Sequence, residues 1–311
     1  MERAQAFARF GTAVTIVEAA DRLLPAEEPE AGELIGEVLR REGIRVLTRT
    51  RLRRVSHDGR DFTVYLDGAG PVRSERLLVA TGRRADLKAL GVAAAGIDDT
   101  RPFVGVDDHL RAADGVWSVG DVTGAGAFTH VAMYQARIAT RDILGQAHEP
   151  ASYRALPRVT FTDPEVGAVG LTEAQARGRG VAVQTAVSPI PSSARGWIHG
   201  PGNDGFIKLI ADADAGVLIG ATSAGPAGGE VLGALAVAVH AQVPVAMLSQ
   251  MIYAYPTFHR AIEDAITQLP NVRPDRIKTR AAALLAGLAS AIYQPRSSSA
   301  TRIAPGSVRL L

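Results

Sequence analysis

The chain has 311 residues, 47% hydrophobic and 21% charged, a soluble globular composition with length enough for two domains or more. Its net charge of +2 hides an asymmetry: residues 271–311 carry seven Arg and Lys against Asp275 alone, +6, which leaves −4 for residues 1–270. Cysteine is absent, so no disulfide, thiolate metal site, cysteine nucleophile or redox dithiol can come from this chain.

Residues 2–11 read as an amphipathic helix closed by Gly11, and residues 13–18 as a buried strand ending in the carboxylate of Glu18. Together they have the pattern of the second half of a dinucleotide-binding βαβ unit. Such a unit normally begins with a strand and a G-x-G-x-x-G turn that cradles a pyrophosphate, and no G-x-G-x-x-G occurs in the sequence. The chain is therefore expected to open in mid-motif. A helix is predicted over residues 30–41, with Leu34, Ile35, Val38 and Leu39 at helical spacing, stopped by Gly43. Residues 44–47 then resume as a parallel neighbour of the first strand. Residues 51–55 and 61–66 flank His57-Asp58-Gly59-Arg60, where Asp-Gly is a strong hairpin signal.

Two apolar stretches follow, each expected to be a buried strand ending in glycine and a polar residue: residues 76–80 running into Thr81-Gly82-Arg83, and residues 115–119 running into Gly120-Asp121. The carboxyl ends of such strands are where open α/β sheets bind ligands. A helix is predicted over residues 130–143. Gly, His, Pro and Ser cluster near residues 145–155, and from Pro157 the texture changes to that of an α+β domain: strands at 158–162, 181–187, 206–210 and 217–221, a helix at 172–177 with Thr172 as N-cap, and a long apolar helix at 229–241. The basic end has no aromatic interleaving beyond Tyr293 and reads as a disordered, solvated extension, so no nucleic-acid partner is expected. Its apolar run, 281–292, is too short to span a bilayer, and the start shows no signal-peptide pattern, leaving a cytoplasmic protein with no membrane partner as the expectation.

Five motifs in order, Val14-Thr15-Ile16-Val17-Glu18, Ala80-Thr81-Gly82-Arg83, Val119-Gly120-Asp121, residues 161–173 (FTDPEVGAVGLTE) and Tyr255-Pro256-Thr257-Phe258, resemble those of the pyridine nucleotide-disulfide oxidoreductases, nearest to the lipoamide dehydrogenase and mercuric reductase branch. The resemblance covers residues 2–269. It implies an α/β fold with partial Rossmann-like NAD and FAD domains, at 1–79 and 80–150, followed by an α+β dimer-interface domain at 151–270 and a basic tail at 271–311.

Carried over residue by residue, the resemblance gives Glu18 the ribose hydroxyls of NAD, where a carboxylate would repel the 2′-phosphate of NADP. Glu2 corresponds to an acid near the nicotinamide, Gly82 to a glycine against which NAD lies, and Asp121 to the aspartate on the FAD ribityl chain. Ala127, Phe128, Thr129 and His130 match the start of the helix aimed at the flavin, whose amides and positive dipole end suit the negative charge of a reduced flavin. For His130 the backbone amide is expected to matter more than the ring. No metal ligand set is read from the sequence.

One position departs from the disulfide-reducing members. Their histidine and the glutamate five residues on are replaced here by Tyr255 and Arg260, neither of which accepts a proton near neutral pH. Tyr255, the one catalytic candidate, is similar to the tyrosine of mercuric reductase, and the Tyr255-Pro256 bond is expected to be cis by the same likeness. His259 falls one residue short of the glutamate position and reads as structural. The resemblance thus implies a homodimeric FAD/NAD(H)-dependent oxidoreductase with a small-molecule electron acceptor, without lipoamide or glutathione reduction, and inactive as the isolated chain. The alternatives are a non-catalytic dimerisation module and a flavin-dependent transhydrogenase-type enzyme, which needs no cysteine.

Overall fold

The computed structural model describes residues 1–270, all within one compact unit. The basic extension, 271–311, lies outside the described residues.

The first elements follow the sequence pattern. Helix α1 (Glu2–Arg9) leads into strand β1 (Thr15–Val17), and helix α2 (Pro29–Arg41) crosses to strand β2 (Arg45–Leu47), which pairs parallel to β1 with Ile16 opposite Val46. Proline at the first helical position starts α2 without losing a needed hydrogen bond, and Gly43, at φ +82°, ends it in the left-handed conformation that favours glycine. Ala31, Ile35 and Leu39, spaced by four, make its buried stripe. Strands β3 (Leu52–His57), β4 (Phe62–Leu66) and β5 (Val72–Ser74) form an antiparallel meander, and at the β3–β4 turn Asp58 Oδ1 accepts the amides of Arg60 and Asp61.

Residues 76–80 do not form the expected buried strand. Leu78 and Val79 are 57% and 69% exposed, and no described strand runs beside them to take up their backbone donors and acceptors. The second expected strand shrinks to β7 (Val116–Trp117), paired only with β6 (Arg111–Ala113). Helix α3 (Thr129–Ile143) comes next, close to its predicted span.

Five antiparallel strands form the rest of the core: β8 (Pro157–Thr160), β9 (Glu165–Gly170), β10 (Val183–Pro189), β11 (Phe206–Asp212) and β12 (Val217–Gly225), in the spatial order β10-β11-β12-β9-β8. Helix α4 (Glu173–Gly178) begins at Thr172 as expected; the Thr172 hydroxyl accepts from the Gln175 amide while the Gln175 side chain accepts from the Thr172 amide. After α5 (Ala194–His199), the apolar helix α6 (Gly228–His240) packs on β9 and β12, and α7 (Val245–Leu248) and α8 (Arg260–Ile266) follow, α8 against β10 and β11. A Cβ at Gly228 would lie 2.6 Å from the carbonyl oxygens of Glu165 and Ser223, so glycine is what lets α6 start this close to the sheet. The Tyr255–Pro256 bond is cis as expected, and so is Asp163–Pro164. None of the helices among the described residues is long and apolar enough to cross a membrane.

The first βαβ elements are fused to this sheet. Leu23, Ala31, Ile35, Leu39 and Ile44 share one apolar cluster with Val166, Phe206 and Ala224. Beside it, the buried Lys208 ammonium lies 2.7 Å from Glu28, 2.6 Å from Glu30 and 3.2 Å from Glu173. Burial pulls the Lys208 ammonium down, and the hydrogen bonds to Glu28 and Glu30 more than reverse that, so its pKa is raised. Arg158 meets Glu27 through two bonds of 2.8 and 2.7 Å.

Candidate cofactor-binding site

Glu18 closes β1 at the carboxyl end of the parallel pair. Its backbone amide donates to Leu47 and its carbonyl accepts from Thr50, which fixes the main chain. One side-chain oxygen, Oε1, accepts the Ala20 amide at 2.8 Å. That bond orients the carboxylate and leaves Oε2 with no hydrogen-bond partner among the described residues.

Glu2 is placed differently from a free acid at a frayed end: its Oε1 accepts the Phe161 amide at 2.7 Å, between β8 and β9. Three residues on, the buried Gln5 donates to the Asp163 carbonyl at 2.7 Å and accepts the Asp163 amide at 2.8 Å. The first turns of α1 are thereby held against the sheet.

Gly82, Asp121 and Ala127 come together through a residue that sequence reasoning gave no role. Arg83 donates through Nη1 to Asp121 Oδ2 at 2.6 Å and through Nη2 to the Ala127 carbonyl at 3.0 Å. Gly82, at φ +102°, supplies the turn before it, and the space a Cβ would occupy there is open. Asp121 starts a short 3₁₀ turn, Asp121–Thr123, and its carboxylate is half exposed.

Below that turn the fully buried Gln135 of α3 accepts the Gly120 amide at 2.6 Å and donates to Thr123 Oγ1 at 3.0 Å and to the Tyr153 hydroxyl at 2.8 Å. Each polar atom of this amide is matched, so the Asp121 turn is fixed to the second turn of α3. Gln135 was not among the expected site residues; its one sequence signal is a polar residue on the apolar face of a helix.

Helix α3 is capped by no side chain. Phe128 at the N-cap is extended, and the amides of Thr129 and His130 have no protein acceptor among the described residues. The His130 ring stacks on Phe128 at 5.2 Å and its Nε2 lies 2.9 Å from the Pro157 carbonyl, so the ring serves packing while the amide stays open. Tyr255 is 69% exposed, with the Arg260 guanidinium 5.6 Å from its ring centroid. Arg260 is in turn bound to Glu263 at 2.8 Å. Tyr255 and Arg260 thus meet, as their five-residue spacing suggests, in a shallow cleft with Ser193, Arg195 and Asp264.

Two family models match in succession: pyridine nucleotide-disulphide oxidoreductase over residues 1–136, and the dimerisation domain of the same oxidoreductases over residues 156–266. The chain belongs to this family. Similar curated proteins include a dihydrolipoyl dehydrogenase of Zymomonas mobilis, 34% identical over 86% of this chain and 58% of the relative, and a mercuric reductase of Streptomyces lividans, 37% identical over 85% and 56%. Among solved structures, LpdA from Mycobacterium tuberculosis superposes with a TM-score of 0.77 at 29% identity, over 86% of this chain and 58% of that one. The HOCl-induced flavoprotein disulfide reductase RclA from Escherichia coli gives 0.75 at 29%, over 86% and 61%. The chain therefore spans a little under two thirds of the length of these relatives.

Proposed function

We propose that this chain forms part of an FAD- and NAD(H)-dependent oxidoreductase and that it contributes two separate cofactor contacts. Glu18 takes the adenosine ribose of NAD. Its anchored carboxylate suits a vicinal diol and repels a 2′-phosphate, which favours NAD over NADP. The Arg83-bound Asp121 accepts from the ribityl hydroxyls of FAD, and the open amides of Thr129 and His130 face the electron-rich edge of the flavin. Bound together, these cofactors supply hydride transfer between nicotinamide and flavin. Gly82 leaves room for the nicotinamide side, and Glu2 acts on it indirectly, by holding α1 to the sheet.

Residues 156–266 serve to pair two chains. Val237 on the outer face of α6, with Met247, Met251 and Ile252, offers an apolar surface that a second copy would cover. Tyr255 lies on the same part of the molecule and is the residue offered to the electron acceptor, a small molecule that needs no dithiol from this chain.

The observation that carries the reading is the Arg83–Asp121–Ala127 junction, which sets an oriented carboxylate beside an uncapped helix N-terminus. The test is an FAD titration of the 311-residue chain followed by flavin fluorescence, with NADH and NADPH oxidation measured alongside. Weak but saturable binding is expected, weakened about tenfold or more by Asp121→Ala, the scale of one charge-assisted hydrogen bond. The only NADH oxidation expected of the isolated chain is a residual one by direct flavin chemistry, exceeding that of NADPH, with Glu18→Ala narrowing the gap. FAD binding that ignores Asp121→Ala would overturn the flavin assignment, and equal use of both nucleotides the Glu18 assignment.

A further inference from the structure

Away from the cofactor residues, one ring nitrogen of His109, one of His148 and one carboxylate oxygen of Asp142 lie within 4.8 Å of one another. They come from three segments: the turn before β6, the last turn of α3, and the connector beyond α3. Asp142 is fixed from outside the cluster. Arg111 grips both of its oxygens at 2.6 Å and Trp117 Nε1 donates to Oδ2 at 2.7 Å. The Arg111 guanidinium holds the Asp142 carboxyl well below the usual carboxylate range, with Trp117 and His148 adding to the effect against the opposing pull of burial.

The imidazoles are less well accounted for. His148, nearly buried, has Nδ1 3.1 Å from the Glu149 carbonyl and Nε2 3.3 Å from Asp142 Oδ1. Both of these partners are acceptors, while a neutral imidazole has a single N–H to give. His109 has Nε2 3.5 Å from Asp108 Oδ1, and its Nδ1 is buried with no hydrogen-bond partner. The two rings stand edge to face with centroids 4.9 Å apart. A buried ring nitrogen left unpaired calls for an explanation, and an ion is one of the few that serves both rings at once.

We infer that His109, His148 and Asp142 form a binding site for one divalent transition-metal ion of the borderline class, such as Zn²⁺, Co²⁺ or Ni²⁺. Two imidazole nitrogens and one carboxylate oxygen are the donor set that such ions take in preference to Mg²⁺ or Ca²⁺. The outer contacts are those of ligating side chains: the Glu149 carbonyl takes the Nδ1 proton of His148 and leaves Nε2 for the ion, Asp108 orients His109, and Arg111 with Trp117 orients the carboxylate. Three protein ligands leave a position for water. The ion ties the end of α3 to the turn before β6, a structural clasp beside the small apolar cluster of Leu110, Ile138 and Ala139.

The experiment uses the 311-residue chain carrying Trp197→Phe, which leaves Trp117 as its one tryptophan. After stripping with a chelator, Co²⁺ is added at neutral pH, and its visible absorption and the quenching of Trp117 are followed together; Zn²⁺ is then used to displace it. One ion per chain is expected, with both signals saturating together. His109→Gln and His148→Ala should each weaken binding tenfold or more. Absence of Co²⁺ binding in the micromolar range, or binding that neither substitution weakens, overturns the site. His109 stands on a partly exposed turn, so if His148→Ala fails to fold, the His109→Gln result decides alone.

Discussion

The sheet β8–β12 and the segment from residue 76 to residue 128 both carry the sequence pattern of strands, and only the first builds an extended sheet. In the sheet, the middle strands find neighbours on both edges and helices on their faces, and Ile207, Leu209 and Leu218 are almost wholly buried. In the segment, Leu78 and Val79 have the same apolar character and lie in solvent, and pairing is confined to the short β6–β7 hairpin. An apolar run is a capacity for strand formation that only a neighbouring backbone realises. What holds the segment in shape is a small apolar cluster, Leu110 with Ile138 and Ala139 of α3, and three polar junctions: Arg83 on Asp121, Gln135 under Gly120, and the Arg111–Asp142 pair.

The contrast is sharpest where a cation is removed. Lys208→Ala leaves the buried Glu28 carboxylate without its ammonium, and thermal or denaturant unfolding is expected to lose about 3–5 kcal/mol. Lys208→Met, which fills the same space, would lose as much, because the carboxylates stay behind. A loss below about 1 kcal/mol in both would mean that βαβ and sheet are not fused as described.

Acid should act on both regions. Glu42 is held below the usual carboxylate range by Arg9, Glu173 by Arg177, and Asp142 by Arg111. A depressed carboxylate contributes stability that is complete above its unfolded value, about 4, and disappears as pH falls through the folded value. Melting temperatures taken from pH 7 to pH 3 should therefore drop most steeply below about pH 4. A flat profile would remove these three pairs from the stability account. Lys208, raised, contributes below the ordinary lysine value of about 10.4 and loses that contribution on further alkalinisation.

A smaller effect is expected at the α4 cap. Thr172→Ala removes an acceptor for the Gln175 amide and should cost about 1 kcal/mol in chemical denaturation, with Thr172→Ser restoring it. Smallest of all, Leu78→Ser and Val79→Ser should each change stability by less than about 0.5 kcal/mol, since they bury little. A loss above about 2 kcal/mol at either would show that residues 76–80 are packed as the sequence first suggested.

What the sequence revealed was local. The spacing of Ile35 and Leu39 drew α2, Thr172 drew the start of α4, Asp58-Gly59 drew a hairpin, and the order of the motifs led to the family. What it hid was long-range. Lys208 meets Glu28 from 180 residues away, Arg83 meets Asp121 from 38, and Arg158 meets Glu27 from 131. None of these leaves a periodic trace, because an ion pair across the fold asks nothing of its sequence neighbours. The same holds for His109, Asp142 and His148, whose spacing matches no compact ligand motif. Residues 76–80 failed for the opposite reason: their pattern is local and clear, while the partner strand it presupposes is not among the described residues.

The cluster that joins α2 to Phe206 also bears on the order in which the protein comes into being. Ile35 and Leu39 leave the ribosome before the surface that covers them, which includes Phe206 and Ala224, made about 170 residues later. At roughly 5–20 residues per second, that is on the order of 10–30 s during which an apolar helix face waits for its counterpart. The acidic start of α2, with Glu27, Glu28 and Glu30, keeps one end of that helix hydrated in the interval and then becomes the counter-charge for Arg158 and Lys208. The same three carboxylates thus guard the nascent chain and latch the finished one.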